Sequence, residues 1–148
     1  MAQIGVSVLV GLAMLSAGAT PPEPEPVTLT GRVVELTDAL KRLDVPADAE
    51  PVAQQVVLVQ DDGTITPLLS DPASRALFQD ARLRGRRAEV RGRRFAGLPY
   101  LQVVAFRVEE NHAFVTPEYY CDVCTISVRY PQPCPCCQGP MELRMRAD

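Results

Sequence analysis

Val27-Thr-Leu-Thr-Gly-Arg-Val-Val-Glu-Leu36 sets the pattern for the middle of the chain. Val27, Leu29, Gly31 and Val33 fall on one side of a period-two repeat, with Thr28, Thr30 and Arg32 on the other. That alternation predicts a long strand with one buried face, and the glycine within it predicts a strong bend. Beyond it, residues 37–53 read as a mixed loop. Asp38 to Leu43 can form one helical turn, and Pro46 and Pro51 argue against anything longer. Gln54–Gln60 and Thr64–Leu69 read as second and third strands. Asp61-Asp62-Gly63 joins them as a hairpin turn, because Asp-Gly accepts positive φ.

The period then changes. Asp71 suits an N-cap, and Pro72 suits the first helical position, where its missing N–H does no harm. Ala73, Leu77, Phe78 and Ala81 share one face of a short helix. Arg86 to Phe95 returns to alternation, with Ala88, Val90 and Gly92 facing one way and Arg87, Glu89, Arg91 and Arg93 the other. Gly97 turns the chain into a fifth strand, Leu98–Val108. A second turn follows at Glu110-Asn111-His112, and Ala113–Thr116 leads on to the tail.

The tail holds every cysteine of the chain. Cys121-Asp-Val-Cys124 and Cys134-Pro-Cys-Cys137 are two CxxC pairs, nine residues apart. A CxxC turn puts two sulfurs on one side of a tight loop, and two facing turns supply four thiolates in a tetrahedron. Zinc prefers that arrangement, and iron also accepts four sulfurs. The ligands expected from spacing are Cys121, Cys124, Cys134 and Cys137. Pairing Cys134 with Cys136 instead would leave Pro135 alone between the sulfurs, with a fixed φ that limits their convergence. One or two disulfides are the alternative if the tail is exported.

Three resemblances follow from these residues. Leu29-x-Gly31-Arg32-Val33 and Leu83-Arg-Gly85-Arg86-x-x-x-Val90-Arg91-Gly92, in the order strand, strand, strand, helix, strand, strand, resemble OB-like domains of small exported bacterial proteins. That resemblance implies a mainly β fold: a five-stranded OB-like barrel with one short helix between strands three and four; another small five-stranded barrel or an unclosed sheet is the alternative. Cys134-Pro-Cys-Cys137-Gln-Gly139 resembles the second knuckle of zinc ribbons and rubredoxin-like domains, which implies a small C-terminal ribbon. Tyr119-x-Cys121, Pro131-x-x-Cys134-Pro135-x-Cys137 and Met141-x-Leu143 are similar to the heavy-metal-binding domain of copper and silver efflux proteins. That family carries Met-His where this chain has Val123 and Cys124. The change favours a closed four-thiolate site, with Met141 and Met145 as reserve thioether ligands.

The 148-residue sequence as a whole bounds the function. Ile4 to Ala19 is apolar or small and too short for a comfortable membrane span. Ala17-Gly18-Ala19 has the form signal peptidase accepts. The expected organisation is a signal peptide or membrane-associated segment at 1–19, a Pro/Glu linker at 20–26, a barrel at 27–116 and a ribbon at 117–148. Export to the periplasm or cell envelope is expected, with a cytoplasmic location the alternative. Membrane contact is expected only through an uncleaved N-terminal segment.

Net charge is −3, which argues against a dedicated nucleic-acid binder. Of the 15 basic residues only Lys41 is a lysine, and seven arginines fall between Arg82 and Arg94. They read as a solvated strand face that blocks edge pairing, or as a contact for an anionic partner. His112, the single histidine, sits in a polar turn and has no paired nucleophile. No glycine-rich phosphate loop and no HExxH helix is present. The expected function is therefore a non-enzymatic, metal-stabilised binding or structural module for an unknown protein or anionic partner. Heavy-metal delivery and single-strand nucleic-acid binding are the alternatives.

Overall fold

The computed structural model describes residues 22–147. The apolar stretch before them, with its expected cleavage site, lies outside the described residues. β1 (Glu25–Glu35) follows the alternation of its sequence and buries Gly31, Val33 and Val34. A Cβ on Gly31 would lie 2.4 Å from the Val59 carbonyl oxygen, so glycine is required here by close backbone approach. β2 (Val56–Gln60) and β3 (Ile65–Pro67) form a hairpin whose turn places Gly63 at φ 86°. β4 (Arg87–Arg94) buries Ala88, Val90 and Gly92 and exposes Arg87, Arg91 and Arg93. β5 (Leu101–Glu110) pairs with it, and β6 (Ala113–Cys121) follows through a turn with positive φ at both Asn111 and His112.

The five-stranded OB-like barrel is overturned. The described residues form an eight-stranded open sheet, ordered β3-β2-β1-β4-β5-β6-β7, with β7 (Ile126–Val128) and β8 (Glu142–Arg146) both paired to β6. The resemblance to OB-like domains falls with it. Two physical causes stand out. β3 is three residues long and ends in Pro67, which has no N–H to extend a ladder. Its approach to β5 is a single bridge, Leu68 to Leu101, with the Leu69 N–H donating 2.9 Å to the Leu101 carbonyl. Meanwhile the chain does not leave the sheet after Val108: β6 runs nine residues to Cys121 and recruits two more strands.

Helical structure also differs from the single helix expected. α1 (Leu36–Arg42) and α2 (Ala49–Val52) lie between β1 and β2, and α3 (Arg75–Gln79) lies between β3 and β4. Pro51 is tolerated because it sits in the first turn of α2, where an N–H has no intrahelical acceptor. Asp71 caps the turn that leads into α3, its Oδ1 accepting from the Ala73 and Ser74 N–H groups at 2.9 and 3.0 Å. No helix among the described residues is long and apolar enough to cross a membrane.

One apolar cluster holds these layers together. Val33, Leu58, Leu77, Leu83, Val90, Leu101 and Val108 are fully buried within it. Tyr119 of β6 belongs to the same cluster, and Val128, Tyr130, Met141, Leu143 and Met145 pack against it half-buried. The strands around the cysteines therefore rest on the main core.

Candidate metal centre

Period two on β6 decides where the first cysteine points. Val115, Pro117, Tyr119 and Cys121 fall on its buried face. Cys121, the last residue of the strand, is thus delivered inward at the sheet end. The chain then reverses into β7, with Cys121 paired to Ile126. The Thr125 N–H donates 2.8 Å to the Cys121 carbonyl, and Thr125 adopts φ 55°. The second turn repeats this construction. The Gln138 N–H donates 2.9 Å to the Cys134 carbonyl, and Gln138 adopts φ 59°. The Cys134 N–H closes the loop onto the Gly139 carbonyl at 2.9 Å. A Cβ on Gly139 would meet Cys137 Sγ at 3.4 Å.

These two turns bring Cys121, Cys124, Cys134 and Cys137 together, with all four Sγ atoms within 4.8 Å of one another. Cys121 and Cys134 are buried, Cys124 is half-buried and Cys137 is exposed. The Cys121 and Cys137 sulfurs are 3.6 Å apart, and all five cysteines are free thiols. Tetrahedral zinc–thiolate bonds of about 2.3 Å would set sulfurs about 3.8 Å apart, so the residues present fit a four-coordinate ion.

The electrostatics belong to the group rather than to single residues. The N–H groups of Cys137 and Cys136 aim at Cys134 and outweigh burial, holding its thiol at about 6. The N–H of Cys124 pulls on Cys121 in the same way, but burial and the thiols of Cys134 and Cys137 leave Cys121 raised. Cys124 is pushed well above the ordinary thiol range by the thiols of Cys136 and Cys137, then by burial. The thiols of Cys121 and Cys137 favour charge on Cys134, whereas charge on Cys121 or Cys124 is resisted, and a cation among them removes that conflict. Cys136 is exposed and outside the four, although its thiol approaches Cys124.

A buried polar contact fixes the strand that carries Cys121. The Tyr119 hydroxyl donates 2.7 Å to Asp80 Oδ2, and Arg82 Nη2 donates 2.6 Å to the same oxygen. Arg82, then the Tyr119 hydroxyl, outweigh burial and hold the Asp80 carboxyl at about 2. Burial and the Asp80 carboxylate push the Tyr119 phenol far upward, so it stays a donor. Sequence reading missed this pair, which is 39 residues apart in the chain.

Other candidates lie elsewhere. His112 is exposed in the turn before β6, at the opposite end of that strand from Cys121, roughly 30 Å along it. Asp62 serves its turn, accepting from the Thr64 N–H at 2.8 Å. Met141 and Met145 pack against the core. In the arginine run, Arg82, Arg84, Arg86 and Arg87 pair with Asp80, Glu35, Glu110 and Asp61.

Comparison of the chain with protein-family models, curated proteins and solved structures returned no match, and so lends no support to the efflux-protein resemblance. The four clustered thiols have the geometry of a metal-binding module.

Proposed function

We propose that this chain is a non-enzymatic binding module whose C-terminal turns are held by a zinc ion bound to Cys121, Cys124, Cys134 and Cys137. The convergence of four free thiols within 4.8 Å, on two turns of matching construction, carries the reading. Zinc is preferred to iron because four thiolates satisfy it without a redox requirement. The ion would fix β7 and β8, which have no fully buried residue of their own.

Elemental analysis of protein purified without added metal tests this. About one zinc per chain is expected. Less than ~0.3 zinc or iron per chain, with disulfides detected by mass, would overturn it. Soft-metal delivery predicts a different result: copper(I) affinity, read by chelator competition, that Cys124→Ser leaves unchanged. A thiol enzyme predicts that one ligand cysteine alkylates fast in the metal-loaded protein, whereas uniformly slow alkylation is expected here. Export forms part of the proposal, and a mature protein beginning at Thr20 is its expected signature.

A further inference from the structure

Four arginines from separate parts of the chain surround one concave surface. Arg91 and Arg93 come from β4, Arg129 follows β7, and Arg146 ends β8. Each lines two adjoining cavities. Arg91 and Arg93 share one, Arg93 and Arg129 the next, Arg129 and Arg146 a third, and Arg146 and Arg91 a fourth. The cavities form a closed ring. All four arginines are exposed, and among the described residues no side-chain hydrogen bond, ion pair or ring contact is formed by any of them.

The floor of the ring is apolar. Val104 lines three of the cavities and is 43% exposed, and Phe106 lies beside it. Val104 reaches the floor because it is the extra residue of a bulge: Arg91 pairs with Ala105 and Gly92 with Val103, so β4 skips it. Bulges re-aim side chains in this way.

The same stretch of β5 has an open edge. Leu101 is bridged toward Leu68, and the β6 ladder begins at Val108. Between them β5 has a ladder with β4 alone. Three acidic residues line the ring. Glu89 pairs with Arg107, Asp71 Oδ1 caps its turn, and Glu118 remains.

Charges that merely guard a sheet edge project outward along one strand. Here they come from β4, β8 and the residue after β7, and converge on a hollow. That arrangement costs repulsion until an anion enters.

We propose that this hollow binds an extended acidic peptide segment of a partner protein, added as a strand along the open edge of β5. The peptide backbone would pair with the edge. Its apolar side chains would meet Val104 and Phe106, and its carboxylates would take the arginine forks. This rests on the binding-module reading above and supplies its partner class.

The test is fluorescence anisotropy with a fluorescein-labelled octapeptide of alternating Glu and Val, using the zinc-loaded full chain. Saturable binding that weakens with salt is expected. The double variant Arg91→Glu/Arg146→Glu should raise Kd at least about tenfold, while Arg42→Glu on exposed α1 leaves it unchanged. Zinc content and thermal melting are read on each variant to show that the fold is kept. The same peptide N-methylated at alternate residues should bind at least about tenfold more weakly, since it cannot form the ladder. Equal binding of the methylated peptide overturns the proposal. So does tighter binding of oligo-dT or polyphosphate through the same arginines, or a self-association that the double variant abolishes. Failure to bind with zinc retained sinks this inference alone, whereas failure to retain zinc sinks the reading beneath it.

Discussion

The strands from β1 to β5 and the strands around the cysteines belong to one sheet, but different physics holds each. In the first region the buried positions are Val33, Leu58, Val90, Leu101 and Val108, all at 0% exposure, so burial of apolar surface is enough to order it. In the second region β7 and β8 alternate between exposed and half-buried, and the buried residues are Pro117, Tyr119, Cys121 and Cys134. A buried set this small offsets less of the backbone entropy of ordering the tail, and the proposed metal cross-link would supply the difference. The lesson is that one sheet can be continuous in hydrogen bonding and discontinuous in what stabilises it.

Removing the metal should break that comparison most sharply. A chelator, or Cys137→Ser, should release the ion and expose the residues beyond Tyr120 to proteolysis, while β1 to β5 stay folded. Structural zinc sites are worth about 10 kcal/mol or more in small domains, so loss of order in the tail should be complete. Mapping of protease cut sites checks it. Cuts distributed evenly over both regions would show that they fold as one unit.

Leu58→Ala probes the other region. Leu58 is at 0% exposure in the core cluster, and its truncation should cost about 2–5 kcal/mol. Thermal unfolding should shift for the whole chain, with metal content unchanged in the folded fraction.

The Asp80–Tyr119 contact joins the two regions and sharpens the comparison at its seam. Asp80 is held at about 2 against an ordinary 3.8, a depressed acid. Its contribution is therefore fully present above about pH 4 and is lost as pH falls toward 2. Arg82 is 62% exposed at its side chain, so water screens much of the pair and about 1–2 kcal/mol is the expected scale. Asp80→Asn should flatten stability over that window, measured by denaturant titration from pH 5 down. Tyr119→Phe should cost about 1–3 kcal/mol, since it removes a donor from a buried carboxylate. A Tyr119→Phe variant as stable as the parent would mean the seam is held by packing alone.

Cys136→Ser is the mildest change. Cys136 is exposed and lies outside the four converging sulfurs, so metal content should hold and stability should move by less than about 0.5 kcal/mol. Greater metal loss here than in Cys137→Ser would reassign the ligand.

Period-two patterns made β1 and β4 legible, because each has a wet face and a dry face, whereas β2 is an apolar run beside a turn signal and buries Val56, Val57 and Leu58 in succession. The cysteine spacing was legible for a related reason: two turns of the same span can be matched without knowing what lies between them. The strand count was not. Ala113–Thr116 reads only as a lead into the tail, yet β6 runs on through Pro117, opposite Met145, to Cys121. β8 carried its own signal, with Met141, Leu143 and Met145 alternating against Glu142, Arg144 and Arg146. Reading the methionines as sulfur donors hid that alternation. Asp80 and Tyr119 left no local trace, since neither belongs to a pattern that the other completes.

β6 pairs through Ala113–Val115 with β5 and through Thr116–Cys121 with β8 and β7. With the ion absent, its two halves are therefore expected to open as separate cooperative units along one unbroken backbone. In amide hydrogen exchange, the boundary between slow and fast protons should fall inside this strand, near Thr116, whenever the ion is absent. With the ion in place that boundary should move past Cys121. A single strand would then record, proton by proton, how far the order imposed by the cysteines extends into the sheet.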